Sequence, residues 1–442
     1  MNGLTVTDIA RITGGETHGG SGTQDVSSVV IDSRAVTPGA MFAALPGERA
    51  DGHDYIGRAL DAGAACCLAR RVPEGEGRCV ITVPDVAAAL CALAADYRAR
   101  FSIPVVGITG SVGKTTTKEM VACVLSQRFR TLKTEKNLNN ALGVPLTLFR
   151  LAPEHEAAVV EMGISDFGEM RKLAEMARPT MAVYTMIGRA HLEFLGDRKG
   201  VLRAKSEMLD VIPEDGGVFV NGDDDLLAEL SCGRRIISFG LGSHCQVRGE
   251  NVSAFSEGGI TCDVVMGERR IPIAIPAYGR HLVWAALAAA AVGAQLGLDD
   301  GEIAAGIASY APVGRRANIT RTPYLTVIDD CYNANPDSAA AAIESAAELG
   351  GRLVCILGDM LELGGDSEEL HRQTGALARK KGAVLLTAGE ISRAMGGRHF
   401  GDKKTLIDAL PTVLKAGDTV LVKASHSMAF EEISEALREL RL

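Results

Sequence analysis

The short apolar run Val105–Thr109 leads directly into Gly110-Ser111-Val112-Gly113-Lys114-Thr115-Thr116, and a helical pattern begins at Lys114. A strand, a glycine loop and a helix in that order constrain the fold strongly. Backbone N–H groups of the loop and of the helix N-terminus then converge on one point and form a cradle for phosphate. Lys114 is placed to reach the β- and γ-phosphates of a nucleotide, and the Thr115 hydroxyl to hold Mg2+. The general pattern asks for glycine at position 108, where this chain has Ile108, with Gly107 one place earlier. The motif is therefore a variant, but strand, loop and helix stand in register. ATP is the expected ligand of Gly110, Ser111, Val112, Gly113, Lys114, Thr115 and Thr116.

Beyond the loop, apolar runs at 157–161, 181–186 and 217–220 alternate with helical patterns, the signature of βαβ units and a mostly parallel sheet. A β-rich stretch follows at 245–275, and an alanine-rich helix starts near His281. Around Ala311-Pro312-Val313-Gly314 the pattern restarts, with strand-like runs at 325–329, 353–357, 384–387 and 419–423. Upstream, short runs such as 29–31 mix with turn clusters before a helix at 86–97, and 98–104 reads as a linker because Pro104 disfavours helix before it. With 442 residues, the chain is expected to divide into domains at 1–99, 100–312 and 313–442. The expected fold class is α/β: a small N-terminal α/β domain, a central P-loop ATPase-like doubly wound domain and a C-terminal Rossmann-like domain.

A net charge of −9 argues against a general nucleic-acid or membrane-surface binder, which needs a basic footprint. No basic segment followed by an apolar one opens the chain, so a cytoplasmic location is expected. The most apolar stretch, 282–298, is largely alanine and contains Gln295, which suits a buried helix and no membrane span. Ten cysteines (Cys66, Cys67, Cys79, Cys91, Cys123, Cys232, Cys245, Cys262, Cys331 and Cys355) show no C-x-x-C spacing. They read as reduced core residues, neither zinc ligands nor a disulfide frame.

Glu161 closes the run 157–161 and precedes Met162-Gly163, which puts a carboxylate where open α/β sheets bind ligands and makes it a candidate Mg2+ ligand. His191 is placed similarly after 181–186 and a turn at Gly188. Lys205 and Glu207 follow fourteen and sixteen residues later, in the helical stretch 201–209.

These residues fall into a familiar order. Thr109 to Thr115, Lys136-Asn137-Leu138-Asn139-Asn140 with Gly143-Val144-Pro145, Glu161-Met162-Gly163, Ala190-His191-Leu192-Glu193 and Ala204-Lys205-Ser206-Glu207 resemble the Mur ligases in sequence and spacing. So do Asp32-Ser33-Arg34, Gly47 and Asp51-Gly52-His53 near the start, and Leu357 to Gly364 and Leu421 to His426 near the end. Asn137 to Asn140, Glu161-Met162-Gly163 and Asp330-Cys331-Tyr332-Asn333-Ala334-Asn335-Pro336-Asp337-Ser338 resemble the member of that family that adds a dipeptide. The alternatives are a family member, or a folylpolyglutamate-type ligase, that adds a single amino acid, and a nucleotide-binding scaffold with a decayed site.

The resemblance implies ligation of D-Ala-D-Ala to UDP-N-acetylmuramoyl-tripeptide in peptidoglycan synthesis, through an acyl phosphate made from ATP. It implies two Mg2+ ions, one on Thr115 and Glu161 and the other on His191, organised by a carbamylated Lys205. Lys114, Lys205, His191 and Glu161 are the implied catalytic residues, and Asn140, Asp330, Asn333 and Asn335 join the nucleotide site. Ser33, Arg34, Gly47, Asp51 and His53 would hold the UDP-sugar. The C-terminal domain would bind the dipeptide and close on ATP, the partners would be small molecules, and the protein would act as a monomer.

Two runs depart from the family. An asparagine usual after Gly-Arg-His, beside the adenine, is missing near Trp284 and Ala285. The usual Lys-Gly-Ser-Arg is Lys423-Ala424-Ser425-His426, so the arginine's role does not transfer to His426.

Overall fold

The computed structural model describes residues 1, 3–47, 50–253 and 259–441. Among them, three sheets follow one another along the chain. The first has five strands in the order Glu16–His18, Val80–Thr82, Cys66–Ala69, Ala40–Ala43 and Ser28–Val30, parallel except for the first pair.

The central sheet has nine strands. From Val247–Glu250 through Arg235–Gly240, Gly217–Asn221, Met181–Tyr184, Val105–Thr109 and Ala157–Glu161 to Thr131–Lys133 all pairs are parallel, and an antiparallel hairpin, Ile260–Met266 with Arg269–Ile275, extends the other edge. Val105–Thr109 and Ala157–Glu161 are buried at every position, as strands covered by helices on both faces must be. The third sheet runs Asn318–Arg321, Leu325–Asp329, Asp418–Lys423, Leu353–Gly358, Val384–Ala388 and Arg398–Phe400, antiparallel only at its first pair. The α/β class and the three-part layout expected from the sequence are what the structure shows.

The helix Lys114–Leu125 packs on the alanine-rich helix Leu282–Gln295. Small residues permit the close approach: a methyl group at Gly293 would press on Val124 Cγ1, and one at Gly306 on the Val124 backbone. Leu282–Gln295 is a buried helix, as its composition predicts.

Three boundaries differ from the sequence reading, each for a local reason. The strand expected over 181–186 ends at Tyr184, because the next residues serve the loop. The Thr185 hydroxyl donates to Val112 O (2.6 Å) and Met186 O accepts from Ser111 N (2.7 Å). The helix expected over 201–209 starts earlier, at Arg198, where Asp197 caps the Gly200 N–H, and it tightens into a 3-10 turn at Glu207–Asp210.

The linker expected at 98–104 begins with a buried clamp. Arg98 ends the helix Val86–Arg98, and its guanidinium donates to the carbonyls of Ala177 (2.9 Å), Phe101 (2.5 Å), Arg178 (3.2 Å) and Ile103 (3.4 Å). Leu90, Leu93 and Tyr97 on that helix share one apolar core with Leu148, Phe149, Met170 and Leu173 of the central unit. The N-terminal sheet is thus fixed to the central one. Arg98→Ala strands buried carbonyls and should lower stability by about 1–3 kcal/mol, read as a fall in the midpoint of the first denaturant transition; an unchanged midpoint contradicts the clamp.

Candidate active site

The phosphate loop is built by two glycines. Gly110 has φ +149°, and a side chain there would collide with Thr185 Oγ1. Gly113, at φ +86°, precedes the first turn of Lys114–Leu125. Ile108, the position at which the general motif wants glycine, is instead a fully buried strand residue. The close approach falls two residues later, at Gly110, so the variant keeps the loop. Ser111 is pinned by its hydroxyl to Gly188 O (3.2 Å), and the Lys114 ammonium turns back over the loop to Gly110 O (2.7 Å). Helix N-terminus, loop N–H groups and ammonium together make a site for a polyanion.

Glu161 stands beside this loop, buried at the end of its strand. Its Oε1 accepts from Thr115 Oγ1 (3.2 Å) and Asn139 Nδ2 (2.7 Å), while Oε2 is buried without a hydrogen-bond partner. An orphaned carboxylate oxygen next to a hydroxyl is a hard-oxygen donor set, and it fits Mg2+.

His191 Nδ1 lies 2.5 Å from Glu362 Oε2, across the junction with the third unit. Burial, with Lys114 and Lys205, pulls its pKa below the ordinary histidine value against the opposing pull of Glu362. Lys205 is fully buried on Arg198–Ser206, and no hydrogen bond or ion pair among the described residues holds its ammonium. Burial, then the charge of Lys114, push it well below the ordinary lysine range.

Loop, Glu161 and His191 open into one cavity of about 380 Å3, whose opposite wall comes from the third unit. Asp330, Asn333, Asn335 and Lys423 line that wall, and Asn140 lines the rim. Asn335 also caps the helix Pro336–Glu348 through the Ser338 N–H (2.8 Å), so its side chain already has a structural partner. Lys423 is buried and binds Asp330 Oδ2 at 2.6 Å. The Arg189 guanidinium and backbone N–H both hold Asp337, tying the two walls together.

Several site features escape the sequence reading. Arg316 lies over the Tyr332 ring at 4.0 Å and both face the cavity; the Gly314-Arg315-Arg316 run at the restart of the pattern is the only signal for it. His281 and Leu282 line the cavity, whereas Trp284 donates to Asp223 Oδ2 (2.7 Å) and Ala285 is buried in the core. The helix therefore presents Leu282 to the cavity and turns Trp284 and Ala285 away from it. His426 sits beside Tyr332, with ring centroids 5.4 Å apart.

None of Ser33, Arg34, Gly47, Asp51 and His53 lines this cavity. They cluster on the first sheet's loops, where Arg34 is exposed and paired with Asp32. His53 is buried, with Nδ1 at 2.6 Å from Asp51 Oδ1 and Nε2 accepting from Arg70 N, so both ring nitrogens are engaged.

Residues 25–98 match the Mur ligase family catalytic domain, 108–293 the Mur ligase middle domain and 315–426 the Mur ligase glutamate ligase domain. The UDP-N-acetylmuramoyl-tripeptide–D-alanyl-D-alanine ligase of Escherichia coli (strain K12) is 38% identical, over 99% of this chain and 99% of its own. The chain belongs to the Mur ligase family. The ligase of the same name from Bacillus subtilis (strain 168) is 37% identical, over 94% of this Mur ligase and 93% of its own length. Crystal structure I of MurF from Acinetobacter baumannii matches with a TM-score of 0.91 at 30% identity over 99% of both chains. The MurF ligase of Thermotoga maritima, solved in complex with ADP, matches with a TM-score of 0.83 at 28% identity over 94% of this chain and 97% of its own.

The geometry of this Mur ligase makes Gly110 a sharp test of its phosphate loop. Gly110→Ala should weaken ATP binding at least about tenfold, or 1.4 kcal/mol, in calorimetric titration. Gly233→Ala, at a position with open space around it, should leave affinity unchanged. Equal affinities in the two variants would contradict the loop assignment.

Proposed function

We propose that this protein joins D-alanyl-D-alanine to UDP-N-acetylmuramoyl-tripeptide at the expense of ATP, giving the UDP-linked pentapeptide precursor of peptidoglycan, ADP and phosphate. The observation that carries the reading is the meeting of the phosphate loop, Glu161 and His191 around one cavity, with the lone buried ammonium of Lys205 in the same unit, in a chain whose full-length relatives bear that activity in their names.

A free carboxylate does not condense with an amine in water without activation. The tripeptide's terminal carboxylate oxygen attacks the γ-phosphorus of ATP, the bond to ADP breaks, and an acyl phosphate forms. The dipeptide's amine then attacks the acyl carbon, phosphate leaves, and the amine proton passes to a base. The protein's own part is positioning and charge neutralisation. Lys114 and the loop N–H groups answer the phosphate charge, and Asn140, Asp330, Asn333 and Asn335 border the rest of the nucleotide.

Thr115 and Glu161 would hold one Mg2+, and His191 with Lys205 a second, supplying neutralisation of the phosphoryl oxygens. For Lys205 to serve, its charge has to invert. Its neutral amine, favoured by burial and by Lys114, adds to CO2 and releases a proton, leaving an anionic carbamate suited to a cation. The contacts Arg189–Asp337 and His191–Glu362 would hold the C-terminal domain closed and exclude water that hydrolyses acyl phosphate. Ser33, Arg34, Gly47 and Asp51, with His53 bracing Asp51, would take the UDP-sugar. With soluble nucleotide-linked substrates, the enzyme works as a cytoplasmic monomer.

Phosphate release should require both the UDP-tripeptide and D-Ala-D-Ala. In the same assay Lys205→Ala should lose about 100-fold or more, the scale of losing one charge-stabilising group, and regain part with acetate or formate. Dipeptide-independent release, or full activity in Lys205→Ala, would overturn the reading.

A further inference from the structure

Outside this site, one cluster of side chains among the described residues has the composition of a metal centre. Asp223 follows the strand Gly217–Asn221, and His244 and Cys245 follow the strand Arg235–Gly240. Each presents one ligand atom, and the three atoms lie within 4.8 Å of one another. Cys245 Sγ is 3.9 Å from Asp223 Oδ1. Tetrahedral zinc, with Zn–S near 2.3 Å and Zn–O near 2.1 Å, wants about 3.5 Å between those atoms, so for this pair a shift of a few tenths of an ångström suffices.

The surroundings orient two of the three groups. His244 Nε2 is spent on Gly222 O at 2.8 Å; as its donor to that carbonyl, Nε2 carries the proton and Nδ1 keeps its lone pair. Asp223 Oδ2 accepts from Leu241 N and Trp284 Nε1, both at 2.7 Å, and Oδ1 from Gly242 N at 2.9 Å, which fixes the carboxylate and leaves Oδ1 a free lone pair. Histidine N–H to a carbonyl and a hydrogen-bonded carboxylate are the outer partners that metal ligands use. Glycines clear the space between them. A methyl group at Gly242 would stand 2.7 Å from His244 Nδ1 and 2.9 Å from Asp223 Oδ1, and one at Gly222 2.7 Å from Cys245 Sγ.

We propose that Asp223, His244 and Cys245 form a transition-metal site of the zinc class, separate from the Mg2+ ligands of the active site. Oxygen, nitrogen and sulfur in one set favour Zn2+ over the hard Mg2+ that Thr115 and Glu161 suit. Asp223 and His244 are exposed and Cys245 is buried, so a fourth position faces solvent. On binding, the Cys245 S–H bond breaks, its proton goes to water and the sulfur–metal bond forms. The sequence reading sets all ten cysteines aside for want of C-x-x-C spacing; these ligands come from two turns that only the sheet brings together.

The chain supplies its own reporter, because its one tryptophan is the residue bonded to Asp223. Co2+ titrated into the metal-free, full-length protein should produce a near-ultraviolet thiolate-to-cobalt band and a change in Trp284 emission, saturating together at one ion per chain. Zn2+ should then abolish the band, and excess Mg2+ should not. Cys245→Ser should remove the band, and His244→Ala should weaken binding at least about tenfold, both with unaltered circular dichroism. Absence of the band in the wild-type protein overturns the proposal, as does a band that survives Cys245→Ser or an emission change indifferent to both substitutions.

Discussion

Three neighbouring parallel strands end at one level, and the chemistry of the site depends on that register. Ile108 lies between Glu161 on one side and Val183 on the other, and Thr109 lies beside Tyr184. The strand Val105–Thr109 therefore delivers Lys114 and Thr115, its first neighbour delivers Glu161, and its second leads through Thr185 and Met186 to Gly188 and His191. A slip of one residue in the first pairing would turn Glu161 to the other face of the sheet, and one in the second would displace Thr185 from the loop. The polar atoms past the strand ends lock the level in place: Thr115 to Glu161, Thr185 to the loop, Ser111 to Met186 and Gly188.

The same register gathers an excess of positive charge in a dry place. Burial disfavours the protonated forms of Lys114, Lys205 and His191, the charge of Lys114 adds to this at Lys205 and His191, and Glu161 has one oxygen left unpaired. Such an arrangement costs stability in the free protein and fits a ligand that brings several negative charges and cations of its own. The third unit completes the balance, adding Asp330, Lys423 and Arg316 from across the cavity. Asp337 and Glu362 carry the contacts to the central unit.

The parts legible in the sequence are those whose meaning is local. The loop declares itself by a strand, glycines and a lysine in order; Glu161 declares itself by closing an apolar run; the alanine-rich helix by composition. Ile108 marks the limit of motif matching, because the steric requirement that the motif encodes is met by Gly110 against Thr185, a contact between distant segments. Arg98 reads as the start of a linker, although it is a buried clamp whose acceptors include carbonyls some eighty residues away. Which residue of the helix Leu282–Gln295 faces the cavity depends on its rotation about its own axis, set by packing on Lys114–Leu125. Glu362 against His191 and the Asp223, His244 and Cys245 cluster are likewise products of tertiary structure.

The central claim is that the phosphate loop, Glu161 and Lys205 serve transfer of a phosphoryl group to a carboxylate. It is tested most directly by following the oxygen. With UDP-tripeptide isotopically labelled in its terminal carboxylate, the acyl phosphate route predicts that each turnover leaves one labelled oxygen in the released phosphate. Phosphate without label, formed at the same rate as the amide product, would contradict it.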